Sequence, residues 1–304
     1  MTHYELVSQN NQKSLLIVGF FVAFIGAASF LMSQAFGYGL DIVGWALIFS
    51  GVMSFGSYWF SDQIILSISG ARPATRNEFF DFYTVTENLC LSQRLPTPKL
   101  YVIDDTAMNA FATGRDPEHA VICATTGLLA QLKRPELEGV IAHELSHVQN
   151  YDTRLMSIVT ILVGLVALLA DWMLRMSRFG GGRRRSNEGD GGGQLQVVMM
   201  VAGLLMALLS PLIAQLIQLA ISRNREFLAD ASGVAMTKNP EGLARALEKI
   251  SSDREPLEAA NKATAHLYIS NPLKNVHGGV GWFAGLFATH PPVPERLKAL
   301  RALT

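Results

Sequence analysis

The sequence predicts a mainly α-helical chain: a multi-pass membrane helical bundle joined to a polar domain with a small β-hairpin or short sheet. Three observations carry this. Only 16% of the 304 residues are charged and 49% are hydrophobic, against about 25% charged in an ordinary soluble chain. Four long apolar segments divide the chain, and three of them hold no charge at all. The polar stretch after the second segment contains a helix-compatible run, Arg134 to Asn150, preceded by two short β-compatible stretches.

The first apolar segment runs from about Ser14 to Phe36 and the second from about Ile42 to Phe60. Each is long enough to cross about 30 Å of hydrocarbon as a helix. The first is too long for a signal-peptide core. Joined by Gly37-Tyr38-Gly39-Leu40-Asp41, the two form a transmembrane hairpin, residues 1–60. Residues 61–154 follow as a polar region. Within it, Ala107–Thr113 and Ala120–Thr126 flank Gly114-Arg115-Asp116-Pro117-Glu118 and read as a β-hairpin.

The third segment, about Leu155 to Leu174, is broken only by Asp171, and the fourth, about Leu195 to Ile221, contains Pro211. Residues 155–221 read as a second transmembrane pair, with a pair of buried core helices as the alternative. The Gly/Arg-rich loop between them, 175–194, cannot bury a core. A C-terminal polar region, 222–304, shows helical spacing at Pro240–Ser252 and Pro294–Leu303.

The loop between the first two segments has no Lys or Arg, whereas Lys13, Arg72 and Arg76 flank the hairpin. The positive-inside rule then puts that loop outside and residues 61–154 in the cytoplasm. Arg175, Arg178, Arg183, Arg184 and Arg185 resist a second full crossing. Either the first hairpin dominates, or the second pair enters the membrane and returns. Both options leave 61–154 and 222–304 on one side. The net charge of zero gives no reason to expect nucleic acid as a partner. The two cysteines, Cys90 and Cys123, have no metal spacing and read as free, buried thiols.

His143-Glu144-Leu145-Ser146-His147 lies inside the helical run. His143 and His147 fall about 40° apart on one face, so both imidazoles can reach one tetrahedral zinc ion. Glu144 is placed to take a proton from a water that the metal activates. A catalytic zinc needs a third protein ligand. Ser222-Arg223-Asn224-Arg225-Glu226-Phe227-Leu228-Ala229-Asp230 offers Glu226 as that ligand. Asp230, one turn on, can accept a hydrogen bond from a ligand histidine and fix its tautomer. The alternative for this stretch is an ordinary solvated charge cluster.

Together the two motifs resemble the HtpX family of membrane zinc endopeptidases, relatives of the CAAX prenyl proteases. The match extends to Asn109-Ala110-Phe111-Ala112-Thr113-Gly114 and to Thr289-His290-Pro291-Pro292, with Arg296 nearby. The resemblance implies a zincin-like cytoplasmic catalytic domain and one Zn2+ per chain, held by His143, His147 and Glu226, with Glu144 as the base. One departure is Tyr151 in Asn150-Tyr151-Asp152, where many relatives have Gly. In zinc peptidases of this kind an extended substrate pairs with a strand edge, and Asn109–Thr113 is the candidate, unless it is a plain structural hairpin. His290, on a stiff turn before two prolines, is a candidate oxyanion donor, with helix capping or packing as the alternative. The implied setting is the bacterial inner membrane, multi-pass, with the lipid bilayer and membrane or unfolded proteins as partners, in quality control. A specific processing peptidase, or a non-enzymatic zinc scaffold, would be the other uses. Nothing in the sequence indicates an oligomeric state.

Overall fold

A computed structural model of the chain describes residues 3–36, 41–162, 223–253, 255, 257, 264, 267–269 and 291–303. His290, the run 175–194, the fourth apolar segment and most of the third lie outside the described residues. The described chain is mostly helical, with one small mixed sheet.

Helices α1 (His3–Phe36) and α2 (Asp41–Trp59) pack side by side. They approach closely at Gly26, where a Cβ would meet the Leu47 side chain at 3.0 Å. Leu15, Leu16, Trp45, Ile48, Val52 and Phe55 remain exposed on the pair. After Trp59 the chain turns by 81° into α3 (Ser61–Ile68). Among the described residues no single helix is long and apolar enough to cross a membrane; the bent pair Val43–Trp59 and Ser61–Ile68 is, by length and composition. Side chains 24, 28 and 31–36 of α1 lie outside the described residues.

Strands β1 (Arg72–Pro73), β2 (Lys99–Ile103), β3 (Ala110–Thr113) and β4 (Val121–Thr125) form a sheet in the order β1-β2-β4-β3. β2 and β4 run parallel; the other two pairs are antiparallel. The expected hairpin is β3–β4, with Ala110 opposite Ala124 and Thr113 opposite Val121. At its turn Gly114 adopts φ +130°, and a Cβ there would fall 2.4 Å from the His119 carbonyl. The sheet is buried on both faces. Leu100, Val102, Ile122 and Ala124 face one core with α4 (Phe80–Gln93). Ile103, Phe111, Val121 and Cys123 face the other, with Ile65, Leu155 and Val159. This is the period of two expected of strands, with both sides apolar. Cys90 and Cys123 are free and buried; burial pushes the Cys90 thiol up to about 11.

α5 (Thr126–Gln131) starts where the Thr125 hydroxyl accepts from the Leu128 amide at 3.2 Å. α6 (Arg134–Gln149) starts with Glu136 accepting from the Lys133 amide at 2.7 Å, which satisfies a donor that a helix start leaves open. The same carboxylate binds Lys249 at 2.6 Å. α6 is the centre of the polar domain. α7 (Arg223–Thr237) and α8 (Pro240–Ser252) pack against it, and α9 (Val293–Arg301) packs on both of these. Two glycines permit the contact: a Cβ on Gly139 would lie 2.7 Å from Leu243 Cα, and one on Gly233 would lie 3.1 Å from His143 N. α6 ends at Gln149, and Tyr151 takes a left-handed φ of 58° before helix resumes over 152–162.

Candidate metal centre

α6 carries His143 and His147 one turn apart, with their rings nearly perpendicular at 89°. Their Nε2 atoms are 3.3 Å apart. The first turn of α7 delivers Glu226, whose Oε2 is 3.6 Å from His143 Nε2 and whose Oε1 is 3.5 Å from His147 Nε2. All three residues are buried, and one ligand atom from each lies within 4.8 Å of the others. Two imidazole nitrogens and a carboxylate are a donor set that suits zinc. The spacing of the two nitrogens from each other, and of each from a Glu226 oxygen, is compatible with this. Bonds of about 2.0–2.2 Å in a tetrahedron put ligand atoms about 3.3–3.6 Å apart.

The far nitrogen of each ring is held by an aspartate. His143 Nδ1 is 2.9 Å from Asp230 Oδ1, and His147 Nδ1 is 3.0 Å from Asp152 Oδ2. Each aspartate is in turn held by an arginine. Arg296 binds Asp230 through Nη2 at 2.6 Å and Nε at 2.8 Å. Arg225 Nη1 lies 3.1 Å from Asp152 Oδ1. With Nδ1–H committed to the carboxylate, each Nε2 is left to face the common point, and the ring becomes a stronger donor.

The charges at this site are buried but balanced. Burial disfavours charge on His147, yet the Asp152 hydrogen bond and the nearby Glu226 and Glu144 carboxylates overcome it, so its pKa rises to about 9. Burial also opposes charge on Asp230, but Arg296 and His143 hold its carboxyl below the ordinary value. Arg296 is 1% exposed, and Asp230, Glu226 and Glu144 keep its pKa raised in spite of that burial. Glu144, buried beside His143 in the chain, contributes to the field on both His147 and Arg296.

The sequence candidates are thus largely brought together. His143, His147 and Glu226 converge, and Asp230 stands behind His143. Asn109 to Thr113 form β3 and the residue before it, against α6. The outer edge of β3 is partly engaged, because the Ala110 carbonyl accepts from the Ile269 amide at 3.0 Å. His290 lies outside the described residues. The sequence reading missed Asp152, Arg225 and the part played by Arg296. A usable signal existed for one of them: an Asp just past the helix end, five positions after the second histidine, is within reach of its ring.

A model of peptidase family M48 matches residues 81–304. The chain belongs to peptidase family M48. The match takes in α6, α7 and α9, and so every candidate ligand. Curated relatives in this family extend the likeness over the whole chain. One from Caldanaerobacter subterraneus subsp. tengcongensis, named Protease HtpX homolog, is 41% identical over 304 residues, covering 100% of this chain and 98% of its own. Another of that name, from Streptococcus uberis, is 40% identical and covers 98% and 99%. A third, from Syntrophobacter fumaroxidans, is 46% identical over 85% of this chain and 88% of its own. Among solved structures, the crystal structure of S. mikatae Ste24p aligns at 19% identity and TM-score 0.49, covering 98% of this chain and 67% of that one. An M48 protein of the HtpX kind is a metallopeptidase, and the buried triad on α6 and α7 is the group that can hold its metal.

Proposed function

We propose that this M48 protein is a zinc-dependent endopeptidase of the bacterial inner membrane, multi-pass, which cleaves membrane or unfolded proteins on the cytoplasmic side in quality control. The observation that carries the zinc reading is the convergence of His143 Nε2, His147 Nε2 and the buried Glu226 carboxylate, with one ligand atom from each within 4.8 Å of the others. Bound there, zinc would supply Lewis acidity, polarising a carbonyl and making water acidic near neutral pH. Glu144 would take the proton from the attacking water and deliver it to the leaving amine nitrogen. Asp230 and Asp152 hold the two rings in the tautomer that presents Nε2. His290 would donate a hydrogen bond to the oxyanion.

Substrate would bind as an added strand on β3, within Asn109–Thr113. Groups on an antiparallel edge alternate, so Ala110 and Ala112 are the residues whose backbone faces away from β4. Ile269 takes the Ala110 carbonyl, and Ala112 is the point at which a peptide would join. A bilayer setting is supported by the exposed apolar side chains of α1 and α2. The contact of Asn10 with residues 150 and 152 keeps the start of α1 beside the metal centre. If α1 and α2 cross as a hairpin, both ends of it then lie on the catalytic side. The deciding experiment measures zinc content and casein cleavage for the purified protein beside Glu144→Gln. Cleavage lost with zinc retained supports the reading; cleavage retained in the variant sinks it.

A further inference from the structure

Asn10 belongs to α1, outside the residues matched by the family model, yet its side chain is 1% exposed and points at the metal centre. Its amide nitrogen donates to the Asn150 carbonyl at 2.8 Å and to Asp152 Oδ1 at 2.7 Å. The first acceptor caps the helix that bears both histidines. The second is the carboxylate whose other oxygen holds His147 Nδ1. The amide's orientation is fixed by these contacts, since turning it over would set its oxygen against a carbonyl and a carboxylate. Asp152 is therefore gripped from three sides, by His147, Arg225 and Asn10. Two of these belong to the catalytic domain. The third comes from 142 residues away, on the N-terminal helix.

We propose that Asn10 is a positioning residue for the metal centre: it fixes Asp152, and through it the His147 ring, so that α1 is part of the catalytic unit as well as an apolar segment. The inference rests on the zinc reading above. Asp152 without Asn10 would keep its ion pair with Arg225 but could swing about it, and His147 would follow. Partners behind a ligand histidine typically change metal affinity about 10- to 100-fold, and a displaced ligand costs turnover more than substrate binding.

The test uses the full chain and zinc, with affinity read by competition against a chelator. The variants are Asn10→Ala, Asn10→Asp, Asp152→Ala, the double Asn10→Ala/Asp152→Ala, Glu226→Ala as reference and Gln12→Ala, at an exposed position of the same helix, as control. Asn10→Ala should weaken zinc binding about tenfold, as expected for such a partner, and lower kcat with KM unchanged. Asn10→Asp should be at least as damaging, because a carboxylate would then face a carboxylate; it keeps the volume of Asn and carries the test if the alanine variant fails to fold. The double variant should bind zinc no worse than Asp152→Ala alone, since one acts through the other. Wild-type affinity in Asn10→Ala, or additive losses in the double variant, would overturn the proposal. If Glu226→Ala binds zinc like wild type, the triad itself is wrong. If Glu226→Ala loses zinc while Asn10→Ala does not, only the role of Asn10 falls.

Discussion

Asp152 holds His147 Nδ1 at 3.0 Å across the turn that ends the histidine helix. It does for His147 what Asp230 does for His143 at 2.9 Å. The metal centre thus has two matched supports, one local in sequence and one carried in by α7. Asp152→Asn should weaken zinc binding by roughly 10- to 100-fold, as should Asp230→Asn. Chelator competition on the two variants checks this, and a change under twofold in both would remove the aspartates from the metal's support.

Glu144→Gln should keep zinc and fold while losing cleavage by several orders of magnitude, since the base goes and the ligands stay. Elemental analysis and a casein assay on the same preparation give both numbers.

Glu226→Ala should lose zinc and activity together, because it leaves two histidines to hold the ion. Full metal content in that variant would place the third ligand elsewhere.

Metal removal has a pH signature. A ligand histidine must give up its Nε2 proton to bind, and in the metal-free protein His147 holds that proton up to about pH 9. Apparent zinc affinity should therefore rise about tenfold per pH unit below 9 from this group alone. Uptake at neutral pH should release a proton, measurable by calorimetry in buffers of different ionisation heat. The stability of the metal-free protein runs the other way. Its His147 pKa is raised above the ordinary value of 6.5, so the stabilisation is fully present below 6.5 and fades as pH rises through about 9. A metal-free protein whose melting point does not fall between pH 7 and 9 would contradict this.

Tyr151 holds a left-handed φ of 58°, and its ring lies 4.7 Å from the Arg154 guanidinium. A side chain in that conformation costs about 1–2 kcal/mol, and stacking on a cation offsets about 0.5–1 kcal/mol at an exposed site. Tyr151→Ala loses the offset and keeps the cost. Tyr151→Gly should be more stable than Tyr151→Ala by about 1 kcal/mol, read as the difference in denaturation midpoint. Equal stability of the two would mean that the turn relaxes.

Much of this site was legible in the sequence, and for a physical reason. His143 and His147 are fixed relative to each other by helix geometry alone, so their spacing reports their function directly. Glu226 and Asp230 are likewise one turn apart, though nothing local says that α7 packs on α6. That depends on Gly233, whose meaning appears only once the helices are placed. The β3–β4 hairpin was readable from its turn residues. β1 and β2 were not: β1 is two residues long, and β2 has both faces apolar, so it shows no alternation. Asn10 and Arg225 carry no periodic signal, because each acts through one long-range contact.

Gly233 has a consequence for ion choice. The separation between Glu226 and the two histidines is set by how closely α7 lies on α6, and that closeness depends on a missing methyl group 3.1 Å from His143 N. Bulk at this position would push the carboxylate away from both rings at once. The triangle of donors would widen by a few tenths of an ångström, and bonds of about 2.0–2.2 Å to a small cation would be strained although all three ligand residues were still present. A backbone contact at His143 itself thereby bears on how far apart the donors stand.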